Sequence, residues 1–378
     1  YPASGCVRIG SEVCAFTRTG DDLTLNRGEG GTDASSHSVG DTVQLCAWFD
    51  SETVQDIVYD LITIGARIPL IYIKKSDWDA EQAAYLSRKY SALITAPTGV
   101  SKLIAELAEQ VGFFMFWDEV AEKIIFRSIR PNSGTDTIYD LTAESNILAD
   151  SLDIKDLVNE RLNEVWVYYG VIDTTKNLTE ASNYKIVQVS SNPADQSEIQ
   201  SNDLRIKKIF SRWISEFNGS AATELANRYI LRYTRAPRQV ALKLDAKDAQ
   251  VTLADFVRVT SPQNQTFSGA SQSLLLQVIQ RTESQQGTTY DVMAREFAYD
   301  DVDFDTGLRV IEVNADAFDF NIRDAYDDIY ADPPDDKTVR VIVAGGVLVT
   351  ATSVSIPAMV FGSWPASTSL EIVIEGIV

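Results

Sequence analysis

The richest coordination chemistry in the sequence lies in one acidic stretch. In Asp301-Val-Asp303-Phe-Asp305-Thr-Gly307-Leu-Arg-Val-Ile-Glu312, carboxylates fall at positions 1, 3, 5 and 12. An EF-hand loop wraps calcium with that spacing. Asp301, Asp303, Asp305 and Glu312 are therefore the candidate metal ligands. Thr306 stands at the sixth position, where such a loop needs glycine for its sharp turn, and no flanking helix is evident. A solvated acidic connector is the preferred reading, and no cofactor is expected.

The remaining reactive groups are few. His37 is the sole histidine and sits in the polar run Thr32–Ser38. A zinc site usually draws on several His or Cys ligands, and a Ser-His-Asp arrangement would have to use His37; it reads as a loop residue. Cys6, Cys14 and Cys46 show no CxxC spacing and read as buried reduced thiols. A two-residue Gly10-Ser11 turn puts Cys14 opposite Val7, which disfavours a Cys6–Cys14 disulfide. Arg27-Gly28-Glu29-Gly30-Gly31 lacks the Lys-Ser/Thr ending of a phosphate-binding loop and reads as a flexible loop. Asp118-Glu119, beside Phe116 and Trp117, would suit glycoside cleavage if one acid sat in an apolar pocket. Hairpin turns favour such residues for local reasons, so a turn is preferred. Trp48, Trp78 and Trp364 can stack on sugars, but packing is their expected use. No catalytic residue is expected, and the chain is read as not an enzyme.

Composition narrows the classes further. The 378 residues carry 54 acidic against 33 basic side chains, a net charge of −21. Nucleic-acid surfaces need Lys and Arg against phosphate, and anionic lipid attracts the same residues. Specific nucleic-acid binding and membrane binding are therefore not expected. At 45% apolar the chain is no disordered polymer. No window has the apolar length of a membrane helix, and no signal peptide is evident. The start at Tyr1-Pro2 and the apolar end Ile372–Val378 read as cut ends.

The periodicity alternates between strand and helix. Residues 1–50 read as a β-hairpin module, with glycine turns at Gly10, Gly20 and Gly40. In 51–150, Ser51 is expected to cap a helix with Val54, Ile57, Val58, Leu61 and Ile62 on one face. Pro69–Ile73 reads as a short strand, Ser76-x-x-Asp79 as a capping box opening a helix through Tyr90, and Thr98 as the cap of a helix stopped by Gly112. Phe113–Trp117 and Ile124–Phe126 form a hairpin. Residues 151–300 read as a second mixed domain, with strands at 163–171 and 183–189, a polar loop at 190–204, a helix capped by Ser220, and four antiparallel strands after Pro237. Residues 301–337 read as the acidic connector; from Asp300 to Asp336, thirteen carboxylates face only Arg309 and Arg323. Residues 338–378 read as the start of a C-terminal β module. No repeat of 20–50 residues is established. The expected fold class is α+β and β-rich: several small mixed domains of antiparallel sheets with a few helices, then an all-β module.

Several stretches together resemble tail proteins of long-tailed bacteriophages. Val7-Arg8-Ile9-Gly10-Ser11-Glu12 with Leu23–Gly28 and His37–Val43 resembles a hairpin module of tail and baseplate proteins. The helix at 98–111 leading into Gly112–Glu119 and Lys123–Arg127 is similar to a domain of tail-tip hub proteins. Arg235-Ala-Pro237, Leu253-Ala-Asp255-Phe-Val257 and Asp291–Phe297 are similar to the closing part of that hub, with Ala254 where glycine is expected. Residues 341–376, with Gly362-Ser363-Trp364-Pro365, resemble the start of a phage β module. The resemblance implies a virion structural protein at the distal end of the tail, made in the bacterial host cytoplasm. It implies a homotrimer that contacts other tail-tip, tube and fibre proteins and guards the DNA exit channel. A receptor- or carbohydrate-binding tail protein and a tail-associated cell-wall hydrolase are the alternatives.

Overall fold

The computed structural model describes residues 1–374, except 120, 131–135, 192–204, 234–235, 266–268, 270, 286, 297–307, 314–315, 331–337, 344–345 and 354. The N-terminal sheet comprises β1 (Ser4–Ile9), β2 (Glu12–Thr19), β3 (Asp22–Glu29) and β4 (Val43–Leu45), in the order β3-β2-β1-β4. Two-residue turns with Gly10 at φ 60° and Gly20 at φ 62° join the first three strands. Glycine takes these left-handed angles without a Cβ clash. Val7 stands opposite Cys14, as the turn length requires.

A layer of helices and short hairpins follows. β5 (Ala47–Thr53) pairs with β6 (Lys89–Ile94) around α1 (Val54–Asp60) and α2 (Lys75–Tyr85). After α3 (Val100–Leu107) comes the hairpin β7 (Phe113–Asp118) and β8 (Lys123–Ser128). The apolar stripes are where periodicity places them: Val54, Ile57, Val58, Leu61 and Ile62 on the first helix, and Leu103, Ile104, Leu107 and Val111 on the third, are all buried. Each such side chain contributes roughly 1.5–3 kcal/mol.

Five local expectations need correction. Ser51 caps nothing: it sits in β5 at φ 51°, and the strand runs on to Thr53. Pro69–Ile73 is not a strand. Leu70–Tyr72 forms a 3-10 turn, and only Ile73 makes a bridge, to Ile124. α2 stops at Tyr85 because Tyr90, Ala92 and Ile94 are buried at every second position and serve β6. Neither Ser76 nor Thr98 caps a helix. Ser76 Oγ contacts Asp77, and Thr98 Oγ1 donates to Ala96 O at 3.0 Å.

The next segment contributes β9 (Ile138–Thr142), β10 (Asp153–Asp156), β11 (Glu164–Val171), β12 (Tyr184–Ser191), β13 (Ile206–Phe210), α4 (Gly219–Tyr233), β14 (Arg238–Asp245), β15 (Phe256–Gln265), β16 (Ser271–Gln285) and β17 (Thr289–Glu296). A three-stranded sheet, β12-β11-β13, packs with α4 onto the helical layer. One core thus draws Ile57, Trp78 and Leu107 together with Val165, Trp213 and Leu225. Ser220 lies inside α4, which begins at Gly219, and its hydroxyl accepts from Arg88 instead. The other sheet, β10-β14-β17-β16-β15-β9, holds a second core of Val240, Leu242, Val257, Leu276 and Val292. β14 to β17 are antiparallel neighbours there, as read from the sequence. Ala254 has φ 70°, a conformation that favours glycine. The polar run 190–204 lies outside the described residues from 192 onward.

The C-terminal module is a parallel coil. β18 (Leu308–Val313), β21 (Thr338–Val343) and β24 (Ser369–Ile374) pair in parallel, with Thr338 in register with both Leu308 and Ser369. β19 (Ala317–Phe318) pairs with β22 (Val349–Thr350), and β20 (Phe320–Asn321) with β23 (Met359–Val360), again in parallel. Successive windings therefore stack strand on strand, the arrangement of a solenoid. Between windings, α5 (Ile322–Ile329) starts at Asn321, whose Oδ1 accepts from the N–H of Arg323 at 3.0 Å. It buries Ile322, Tyr326 and Ile329 against Ile311, Val339 and Val341. Residues 308–313 and 316–330, expected to be solvated connector, thus belong to the first winding and its helix. Their carboxylates act as clamps: Asp316 accepts from Leu348 N–H at 2.8 Å and Asp319 from Thr352 N–H at 2.9 Å.

Candidate interaction sites

Asp301, Asp303 and Asp305 lie outside the described residues. Glu312 belongs to β18, its backbone in register with Ile342. Among the described residues, no group of three or more His, Cys, Asp or Glu is placed to hold a metal. Asp118 accepts from Ala121 N–H at 3.0 Å and closes its hairpin, while Glu119 is exposed. Of the tryptophans, Trp78 is core and donates to Ile124 O at 3.1 Å. Trp364 packs edge-on to Tyr326 at 5.5 Å, and Trp48 is exposed.

The strongest polar centre surrounds Glu12, a residue the sequence reading passed over. Its side chain is 0% exposed. Arg27 holds it in a fork, Nε to Oε1 and Nη2 to Oε2, both at 2.6 Å. Gly28 N–H at 3.2 Å, Ser35 N–H at 2.9 Å and His37 Nε2 at 2.7 Å complete the ring. Cys14 Sγ donates to Oε1 at 3.4 Å. The Arg27 hydrogen bonds outweigh burial and hold the carboxyl far below the usual range, helped by Ser35 and His37. His37 is therefore a fastener of the 28–41 loop. The available signal was register: Glu12 follows the Gly10-Ser11 turn at an inward-facing position opposite Ile9.

That loop also joins modules. Thr174 N–H donates to Gly30 O at 3.2 Å, and Thr95 Oγ1 to Thr174 O at 2.6 Å. So Gly30-Gly31, read as flexible, is a close-packed joint. A second joint attaches the C-terminal coil. Arg88 pairs with Glu224 at 2.9 Å and with Ser220 at 2.8 Å, and lies 4.4 Å over the Tyr330 ring. Lys89 Nζ donates to Asp327 O. Arg88 is mostly buried while Glu224 is 41% exposed, so loss of Arg88 costs its hydrogen bonds and its packing on Tyr330 more than it strands a charge. R88A is expected to cost about 2 kcal/mol at this joint, seen as faster proteolytic release of the C-terminal coil; an unchanged cleavage rate would refute the assignment.

Two surfaces are candidates for contact with other molecules. Leu70, Ile71 and Tyr72 protrude from the 3-10 turn, Ile71 being 70% exposed, and Tyr72 packs edge-on to the half-exposed Trp117 at 5.5 Å. Exposed apolar ridges of this kind mark protein or ligand contacts. The second surface is the edge strand β24, where Ile372 and Ile374 on one face and Val373 on the other are all exposed. A pocket of about 180 Å³ between Ser151, Lys243, Gln280 and Asp291 is below the usual size of a small-molecule site. Among the described residues, no helix is long and apolar enough to cross a membrane.

No curated protein sequence matches the chain. Solved structures similar to it include three tail proteins. The tail protein from Neisseria meningitidis MC58 is 12% identical with a TM-score of 0.41, over 78% of this chain and 96% of that one. The 43 kDa tail protein of prophage MuSo2 from Shewanella oneidensis is 12% identical with a TM-score of 0.39, over 76% and 83%. Prophage tail protein gp18 from Listeria monocytogenes EGD-e is 9% identical with a TM-score of 0.37, over 78% and 87%. At such scores these likenesses carry no argument of their own. Residues 308–378 match the family of phage tail fibre adhesin Gp38, and the match begins on the first residue of β18. Over its C-terminal coil the chain is thus similar to a phage tail protein family, in agreement with the resemblance read from its sequence.

Proposed function

We propose that the chain is a structural component of a phage tail tip or baseplate: an oligomeric, trimeric hub that joins the tail tube to tip proteins or fibres and lines the DNA exit channel. On this reading its work is assembly, and it is not an enzyme. The observation that carries the proposal is the joint at Arg88, Glu224 and Tyr330, which attaches an adhesin-like coil to a many-sheeted body. Such a joint suits a part that holds a host-facing element on a rigid support. The ridge at Leu70–Tyr72 and Trp117 supplies apolar surface for neighbours. The net charge of −21 suits a channel wall, because carboxylates repel DNA phosphates and keep the strand from sticking.

The match at 308–378 also favours a second reading, in which the coil itself contacts the host receptor. One experiment addresses both. Antibodies raised against the C-terminal coil are applied to virions, and the pure chain is sized by light scattering. The hub reading expects label at the distal tail end and a mass three times that of the chain. Label on the capsid, or a tail free of label, would overturn it. Loss of phage adsorption upon antibody binding would select the receptor-contact reading for the coil; unimpaired adsorption would reject it.

A further inference from the structure

Two of the three cysteines face each other across neighbouring segments. Continuing the β1–β4 register past Val7 and Leu45 sets Cys46 opposite Cys6, and Cys46 N–H donates to Cys6 O at 2.9 Å. Both side chains are buried in one small cluster with Val13, covered by Ala15 and Leu93. Directly opposed residues on antiparallel strands have Cα atoms about 4.5–5.5 Å apart. A disulfide spans roughly 4.4–6.8 Å between Cα atoms. Cys14 lies on the other face of the sheet, with Val7 and Phe16, and its Sγ is directed to Glu12.

We propose that Cys6 and Cys46 are a latent disulfide pair, closed by exchange with a low-molecular-weight disulfide such as oxidised glutathione. One protein thiolate attacks a sulfur of the small disulfide, whose S–S bond breaks and releases one thiolate. The second protein thiolate then attacks the protein sulfur of the mixed disulfide and releases the other. The two cysteines lose two electrons and two protons, and the small disulfide becomes two thiols. The new bond ties β1 to the segment entering β5, and so links the N-terminal sheet covalently to the central core. It also closes a long loop that contains the Glu12 centre, which restricts the unfolded chain.

The folded pair reacts slowly. Burial, aided by the neighbouring Cys6, pushes the Cys46 thiol up to about 11, and burial raises Cys6 as well. The test therefore has a folded arm and a refolding arm. The full chain is held in oxidised glutathione at mildly alkaline pH, or unfolded and refolded in a glutathione redox buffer. Each sample is quenched in acid, alkylated after unfolding, and digested for mass spectrometry. The expected result in both arms is a peptide pair linked through Cys6 and Cys46, with Cys14 alkylated, and a raised Tm that reductant reverses. C46S abolishes the linked peptide and the Tm shift. Three alkylated cysteines after refolding, a link that includes Cys14, or lasting glutathione adducts on Cys6 or Cys46 would each overturn the proposal.

Discussion

E12Q is expected to destabilise the N-terminal sheet by roughly 2–4 kcal/mol, the range for an ionic hydrogen-bond centre that loses its charge in a buried setting. Arg27 Nε and Nη2 and the N–H groups of Gly28 and Ser35 are all donors aimed at this carboxylate. A glutamine turns its own amide N–H₂ toward one of them, so donor faces donor where the native pair is ionic. The variant is expected to show an early transition in thermal unfolding and faster hydrogen exchange across residues 28–41. The pH dependence has a definite sign. The Glu12 carboxyl titrates far below its usual value in the folded chain because of Arg27, Ser35 and His37. A depressed folded pKa contributes stability that is complete above the unfolded value of about 4.3 and is lost as pH falls below it. Wild type should therefore lose stability more steeply than E12Q between about pH 5 and pH 3, the gap narrowing throughout and closing only at still lower pH, where the folded carboxyl titrates. Parallel curves across that window would remove Glu12 from its assigned role.

Why Glu12 escaped the sequence reading is a matter of range. Its partners sit in β3 and in the loop before β4, and no local period links Glu12 to Arg27, Ser35 or His37. Local signals fared better. The stripe Leu103, Ile104, Leu107 and Val111 and the turns at Gly10 and Gly20 follow from side-chain direction and allowed φ alone. Helix starts were less legible, since Ser51, Ser76 and Thr98 are plausible caps by type but β5 runs past the first and the other two bond locally. The coil at 308–374 was hidden for another reason. Its ladder sets Ile311, Val341 and Ile372 side by side, and likewise Val313, Val343 and Ile374, but other rungs mix types, as where Val310 meets Arg340 and Glu371. Residue types that match at only some rungs leave a faint repeat, which reads as ordinary separate strands. High acidic content hid it further, because Asp316 and Asp319 read as solvated charges until the backbone N–H groups of Leu348 and Thr352 appear beside them.

G31A is expected to be the most damaging single methyl addition near the N-terminal joint. Gly31 has φ 76°, and a Cβ built there lies 1.6 Å from the backbone oxygen of Ile172. No rotamer change relieves that overlap, because the clashing atom belongs to the main chain. Either the 28–32 loop lifts away from residues 172–174, losing the Gly30–Thr174 bonds, or the start of the 172–176 turn is pushed aside. Either route should cost more than about 3 kcal/mol, within the range seen for overpacked sites with backbone strain. G20A separates the two contributions. Gly20 has a similar φ of 62°, yet nothing stands within 4 Å of its Cβ position. That variant meets only the left-handed penalty, roughly 1 kcal/mol. Chemical denaturation of the two proteins side by side should therefore place G31A well below G20A, with hydrogen exchange rising at residues 172–176 only in G31A. Equal midpoints would mean that the loop does not press on Ile172 in solution, and that other contacts hold the N-terminal sheet to the body, such as those of Arg8 and Gln44 with Thr95 O and the packing of Leu93 on Cys6 and Val13. The comparison thus decides whether the glycine pair at 30–31 is spacing or a joint, and with it whether the N-terminal module moves with the central core as one body.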